Sequence, residues 1–247
     1  MKKAITIFVL MFVSGLANAQ FAGGTGTSSD PFQITTAAEL NLVRNYLGSG
    51  NSGKYFKVMN DISLTSYLAS GGEGYTLWGG SGWSPIGAEF NEFYGQFDGN
   101  NHKISGLKIS LNTSYVGLFG SVKNSGTLHN LGVEIDPAGS VTGHLYVGAI
   151  VGQNYGSLNY CYATGAVNGG FSSDMLIGGL VGQNDGYISN CYSTGAVSGS
   201  WSVGGLVGYN HTGTISNCYA RGSVSTGGNL GGLVGANGGT ISNCYAT

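Results

Sequence analysis

Apolar and polar residues alternate in short runs from about Val147 to the last residue, and glycine or asparagine breaks the alternation every few positions. Runs of this length with a period of two predict short strands rather than helices. Arg221 sets which side is which. It stands where other copies carry Thr164 and Thr194, and a lone arginine is almost never fully buried. Counting by two, Tyr219 faces outward with it, while Cys218, Ala220 and Val224 face the core. The same count puts Ile188, Ile215 and Ile241 inward and Ser189, Ser216 and Ser242 outward. Ile188 and Cys191 are three apart, so the chain must bend between them, at Asn190. Asn217 and Asn243 stand at the equivalent bends. Two roles are open for these asparagines: an inward stack of bonded amides, or corner residues chosen for their turn preference.

The strands belong to a repeated phrase. Gly148-Ala149-Ile150-Val151-Gly152 returns as Gly178 to Gly182, Gly204 to Gly208 and Gly231 to Gly235, each followed by a Cys-Tyr pair at 161, 191, 218 and 244. The cysteines are spaced by 30, 27 and 26 residues. A degenerate copy, Val116 to Gly120 with Leu128 to Leu131, precedes them and carries Leu131 in the cysteine position. Periods in this range mark stacked repeats. The expected fold class is all-β: a parallel β-helix, or solenoid, with two or three short strands per turn and right-handed crossovers. A β-propeller is the other repeat architecture weighed, but its blades need about 40 residues. On in-register strands equivalent cysteines lie about 4.8 Å apart and point the same way, whereas a disulfide wants Cβ atoms at about 3.8 Å. The four are therefore expected to be free, buried thiols.

The N-terminal part reads differently. Thr36 and Glu39 form a capping box ahead of Leu40, Val43 and Leu47, which predicts one short helix over about 37–47 that covers the end of the solenoid. Tyr55 to Met59, Ile62 to Leu64 and Phe93 to Phe97 read as strands. Ser66 to Ser84 reads as a Gly-rich loop holding Trp78 and Trp83, the latter expected to pack against Pro85. Asp98-Gly99-Asn100-Asn101 is a tight turn, and Ile104, Leu107 and Ile109 point inward around a kink at Gly106.

Composition narrows the possibilities. The chain has 247 residues, 47 of them glycine, and only 8% are charged, against about 25% in an ordinary globular domain. After Pro137 the charged residues are Asp174, Asp185 and Arg221 alone. Nothing is basic enough to suggest nucleic acid as a partner. Residues 1–19 have the form of a secretory signal peptide: Lys2 and Lys3, an apolar run from Ala4 to Leu16, then Ala17-Asn18-Ala19. The run is shorter than the roughly 20 residues a membrane span needs, and no later segment is apolar enough to span. Cleavage takes the net charge from −2 to −4. The expected layout is a signal peptide over 1–19, the N-terminal cap and first solenoid turns over 20–115, and the repeats over 116–247. The last copy stops at Thr247 without a capping segment, so the chain is expected to be a piece of a longer protein.

The phrase G-G-L-V-G-x-N…I-x-N-C-Y-A-x-G, as in Gly178 to Asn184 with Ile188 to Tyr192, resembles the GLUG repeat of bacterial exported proteins. Asp30-Pro31-Phe32, Asn60 to Leu64, Trp83 to Gly87 and Phe97 to Asn100 are similar to the segment that precedes such repeats. The resemblance implies an exported, cell-surface, adhesin-like β-solenoid of the kind also found in the non-catalytic part of some IgA-specific metallopeptidases. It names no ligand.

Site chemistry is sparse. None of His102, His129, His144 and His211 is followed by Glu, so the H-E-x-x-H pattern of a zinc peptidase is absent. No catalytic residue, metal ligand or cofactor is expected. Glycan hydrolysis needs paired carboxylates, and Glu89, Glu92 and Asp98 form the one local acidic group. The favoured function is adhesion or ligand binding without catalysis, toward a glycan or a host or cell-surface protein. A glycan-active enzyme and a purely structural spacer are the alternatives. The candidate binding residues are the recurring Tyr162, Tyr192, Tyr219 and Tyr245, with Trp78 second. Aromatic rows can stack on sugars or anchor proteins, or they can simply stabilise the outer face.

Overall fold

The structure is a computed structural model that describes residues 20–170 and 175–247; the expected signal peptide lies outside them. Among the described residues, parallel strands form five sheets of eight, seven, five, five and four strands. One turn of the solenoid contributes a strand to each. Tyr187–Ser189, Tyr192–Thr194, Val197–Ser198, Ser202–Gly204 and Val207–Asn210 make such a turn. The sequence reading expected two or three strands per turn. The chain makes five because each run is only two to four residues long before a corner turns it.

Register holds from turn to turn. Leu158 pairs with Ile188, Ile188 with Ile215 and Ile215 with Ile241. The Leu180 N–H donates to the Leu206 carbonyl at 2.9 Å, and the Leu206 N–H to that of Leu233 at 2.8 Å. The outward and inward parity set by Arg221 is the one observed. Cys161, Cys191, Cys218, Ala163 and Ala220 are buried, and Arg221 is exposed. The cysteines are free. Each thiol sulfur accepts the N–H of the cysteine one turn earlier, at 3.3 Å for all three pairs.

Asn130, Asn190, Asn217 and Asn243 all sit at φ 52–54°. Asparagine tolerates this left-handed conformation better than most residues, so these are corner residues. The inward amide stack does exist, at a different asparagine. Asn154 Nδ2 donates to Asn184 Oδ1 at 2.8 Å, Asn184 to Asn210 at 2.9 Å and Asn210 to Asn237 at 2.8 Å. The first three are fully buried, and such ladders satisfy polar groups that burial would otherwise penalise.

The outer glycines of the repeated phrase have a steric reason. A Cβ on Gly182 would lie 2.5 Å from the Val147 nitrogen and 2.6 Å from the Gly152 carbonyl oxygen, and one on Gly178 would lie 2.1 Å from the Val181 oxygen. Here two sheets bring backbone against backbone, and no side chain fits between them.

At the N-terminal end, α1 (Ala37–Leu42) begins with the expected capping box and continues as a 3₁₀ turn, Val43–Tyr46. Its Arg44 donates to the carbonyls of Ser84 at 2.9 Å and Pro85 at 3.3 Å, and lies over the rings of Trp78 and Trp83. The segment read as a loop contains two further short helices, α2 (Thr65–Leu68) and α3 (Glu73–Trp78). Gly74 disfavours helix in α3 locally, but packing overrides this: a side chain there would collide with the Tyr67 ring. Trp83 is fully buried. It meets Trp78 edge-on, with ring centroids 5.2 Å apart, and its indole N–H donates to the Leu118 carbonyl at 3.1 Å. Gly106 has φ +72° at an irregularity in the pairing of Lys103–Leu107 with Gly132–Ile135, and Ile104, Leu107 and Ile109 are buried around it.

Candidate functional site

The seven-stranded sheet carries the tyrosines. Tyr162 pairs with Tyr192, Tyr192 with Tyr219 and Tyr219 with Tyr245. Each follows a cysteine on the inward-facing position, buried in the first three cases, so strand alternation turns it outward. The four rings form one column, with centroids 5.1, 4.8 and 5.3 Å apart and planes within 5°, 4° and 9° of parallel. The first three are half-buried because each ring covers the next; Tyr245 is 49% exposed. Burial raises the phenol pKa of Tyr162 and Tyr192, so the hydroxyls stay neutral at ordinary pH.

The column has a defined foot. Gly132 occupies the tyrosine position one turn before Tyr162, and a side chain there would strike the Tyr162 ring. Lys103 lies one turn earlier still and pairs with Glu134 at 3.1 Å. Toward the other end the Arg221 guanidinium lies 5.3 Å from the Tyr219 ring centre. The ring faces are taken up by one another, so the column shows solvent a strip of ring edges and hydroxyls rather than open faces.

Trp78, the second candidate, stands apart from this column. It is half-buried in the N-terminal cluster, edge-on to Tyr67 and Trp83 and under Arg44. Glu92 pairs with Lys123 at 3.5 Å, and Asp98 pairs with His129 at 3.3 Å. No cluster of three or more His, Cys, Asp or Glu side chains suited to a metal occurs among the described residues. The sequence reading did not find these pairings, nor one further pair in the repeats. Asp185 and His211, 26 residues apart, meet at 2.7 Å; the pairing of Asn184 with Asn210 sets them side by side.

Comparison with known proteins agrees with this geometry. The family model of the GLUG motif matches four times, at residues 143–168, 173–198, 199–225 and 226–247. A protein of Evansella cellulosilytica, provisionally named a Gly-rich membrane protein, is 39% identical over 155 residues, covering 62% of this chain and 17% of its own length. Halomucin of Haloquadratum walsbyi is 32% identical over 150 residues, covering 59% of this chain and 2% of its own length. The chain thus spans a small part of either relative. A crystal structure from Bacteroides ovatus, provisionally described as an immunoglobulin A1 protease, superposes with a TM-score of 0.63 over 92% of this chain and 78% of its own; at 23% identity the likeness is one of fold. The matched segments begin at residue 143, and the in-register turn holding Leu131 extends the same architecture before them. Residues 143–247 carry four copies of the GLUG motif, and these repeats are successive turns of one β-solenoid.

Proposed function

We propose that this chain is a non-catalytic binding module displayed at a cell surface, and that it holds an extended partner along its tyrosine column. The column carries the reading: four phenols in one line, stepped by about one strand spacing, on a face with few charges. With the ring faces closed, a partner meets edges and hydroxyls, which suits a chain lying along the axis with polar groups at a similar step. A neutral glycan or an extended segment of a surface protein has this form. The name of the Evansella relative supports display at a membrane, and no helix among the described residues is long and apolar enough to cross one. Contacts at single steps are weak, so affinity is expected to rise with the number of turns engaged.

The closure of the rings on one another favours a second reading, a structural spacer, since each stacked aromatic pair contributes about 0.5–1.5 kcal/mol on its own. The two separate in a glycan array and a whole-cell adhesion assay that compare the wild type with a variant carrying serine at 162, 192 and 219. Loss of binding by a variant that stays folded in circular dichroism is expected. Survival of every wild-type signal replaces the binding reading with the spacer.

A further inference from the structure

The corners that link the strand ending at Val122, Asn154, Asn184 or Asn210 to the next differ in length. Four residues, 123–126, connect Val122 to Thr127, and three, 211–213, connect Asn210 to Thr214. The two turns between them use only two residues each, 155–156 and 185–186. Two raised corners therefore flank two low ones, and the saddle between them is a cleft of about 360 Å³, at the small end of the roughly 300–1,000 Å³ found for small-molecule sites. Asn124 and Thr212 stand at its two ends, Asp185 and Gly186 lie between, and Tyr155 and Tyr187 border it.

We propose that this saddle binds a neutral saccharide. Two of its polar groups, Asp185 and Tyr155, are fixed in place before any ligand arrives. The Asp185 side chain is 8% exposed. Its Oδ1 accepts from His211 Nδ1 at 2.7 Å and from the Thr212 hydroxyl at 3.3 Å, and its Oδ2 accepts from Gln183 Nε2 at 2.7 Å. A carboxylate has about four acceptor positions, so Oδ2 retains room for a ligand hydroxyl. Tyr155 is pinned by Gln153, which donates to its hydroxyl at 2.8 Å, and by Lys123, whose ammonium lies 4.0 Å from the ring centre. Tyr187 is 64% exposed and offers an apolar ring beside these polar groups.

The ionisable groups around the cleft already have partners, Asp185 in the His211 ring and Lys123 in Glu92. An ionic ligand would have to displace one of these partners. A pyranose needs no such exchange: its hydroxyls meet the carboxylate, the Asn124 amide and the Thr212 and Thr214 hydroxyls, and its C–H face meets a tyrosine ring. This site is separate from the tyrosine column and stands or falls apart from it.

The test is an NMR amide titration of the folded chain with maltotriose, cellotriose, mannotriose and tri-N-acetylchitotriose, each to about 10 mM, well into the range of weak binding. At least one is expected to give saturable shifts centred on Asp185, Gly186, Thr212 and Gly213. Tyr187→Ser, at an exposed side chain, is expected to raise the Kd by about tenfold, or about 1.4 kcal/mol. Asp185→Asn should weaken binding similarly; if it does not fold, Tyr187→Ser alone decides. No saturable shift with any of the four sugars, or an unchanged Kd in Tyr187→Ser, overturns the proposal. Shifts confined to the tyrosine column, with Asp185 and Gly186 unmoved, overturn it too and leave the column reading in place.

Discussion

Phe97 and Ile215 hold equivalent positions in the eight-stranded sheet, linked through Leu128, Leu158 and Ile188. Around Phe97 the core is mostly aromatic: Phe56, Phe93, Phe119 and Trp83 are all fully buried. Around Ile215 the core is made of files, with leucine over leucine, cysteine over cysteine and asparagine over asparagine. The first region is held by contacts between distant parts of the chain, such as Arg44 with Ser84 and Pro85. The second is held by each turn meeting the turn before and after it, the nearest-neighbour arrangement of a solenoid. The same strand geometry can thus be filled by individual fits or by repetition, and the two should fail differently.

The largest difference is expected from the glycines. Gly182→Ala puts a Cβ against the backbone of Tyr146, Val147 and Gly152, where nothing can move aside, and should cost more than about 4 kcal/mol or prevent folding. Gly139→Ala, whose new methyl would meet the flexible Lys108 side chain at 3.2 Å, should stay within about 0.5 kcal/mol of wild type in urea unfolding, as surface changes usually do. Equal effects from the two would show that close backbone approach is not what the repeated glycines serve.

A smaller but still large loss is expected in the first region. Trp83→Ala should cost about 3–5 kcal/mol and loosen α1 through Arg44. Hydrogen exchange should show the lost protection concentrated before residue 116. Protection lost evenly along all turns would erase the distinction between the regions.

The smallest effect is alkaline. Burial, with help from Glu73, raises the Tyr67 phenol to about 12, and burial, with help from Glu89, does the same for Tyr115. The folded state favours the neutral phenol, so this stabilisation is complete below the ordinary tyrosine pKa of about 10 and is lost as pH rises toward 12. Tm should fall by a few degrees over that interval. Tyr67→Phe and Tyr115→Phe should each remove part of the slope, the first acting on the cap and the second on the start of the repeats. A slope unchanged in both variants would assign the alkaline loss elsewhere.

The repeats were readable from sequence because their information is periodic. One exposed Arg221 fixed the parity of every strand, and the period named the architecture. Two things were hidden. The number of strands per turn depends on where two-residue strands end, below the length at which alternation can be recognised. For Asn190, Asn217 and Asn243 the sequence left an inward stack and a corner role open; the left-handed corner dihedrals decide for the corner, and the buried stack runs through Asn154, Asn184, Asn210 and Asn237 instead. In the N-terminal part, α2 is only four residues long, too short for a periodicity to show, and α3 was obscured by Gly74, packed against Tyr67, and by the glycines around it. The candidate tyrosines were found as a row, but that their faces close on one another follows from ring orientation, which sequence does not carry. The saddle over Asp185 arises from corner lengths, visible only once the strands on either side are aligned.

Corner lengths explain why the cysteines are 30, 27 and 26 residues apart while the strand partners of the four repeats stay in register. Four extra residues lie between Val167 and Ile177 compared with the next turn, and one extra between Asn210 and Thr214. A similar excess before the first cysteine falls in the corner around Pro137. Each of these changes in length falls outside the strands. For a unit multiplied by duplication, this separates two kinds of inheritance: the spine is copied under tight constraint, while the corners are free to lengthen and diverge. A segment spliced into any of them leaves each ladder partner where it was, so such a molecule can change what it presents to its surroundings without folding anew.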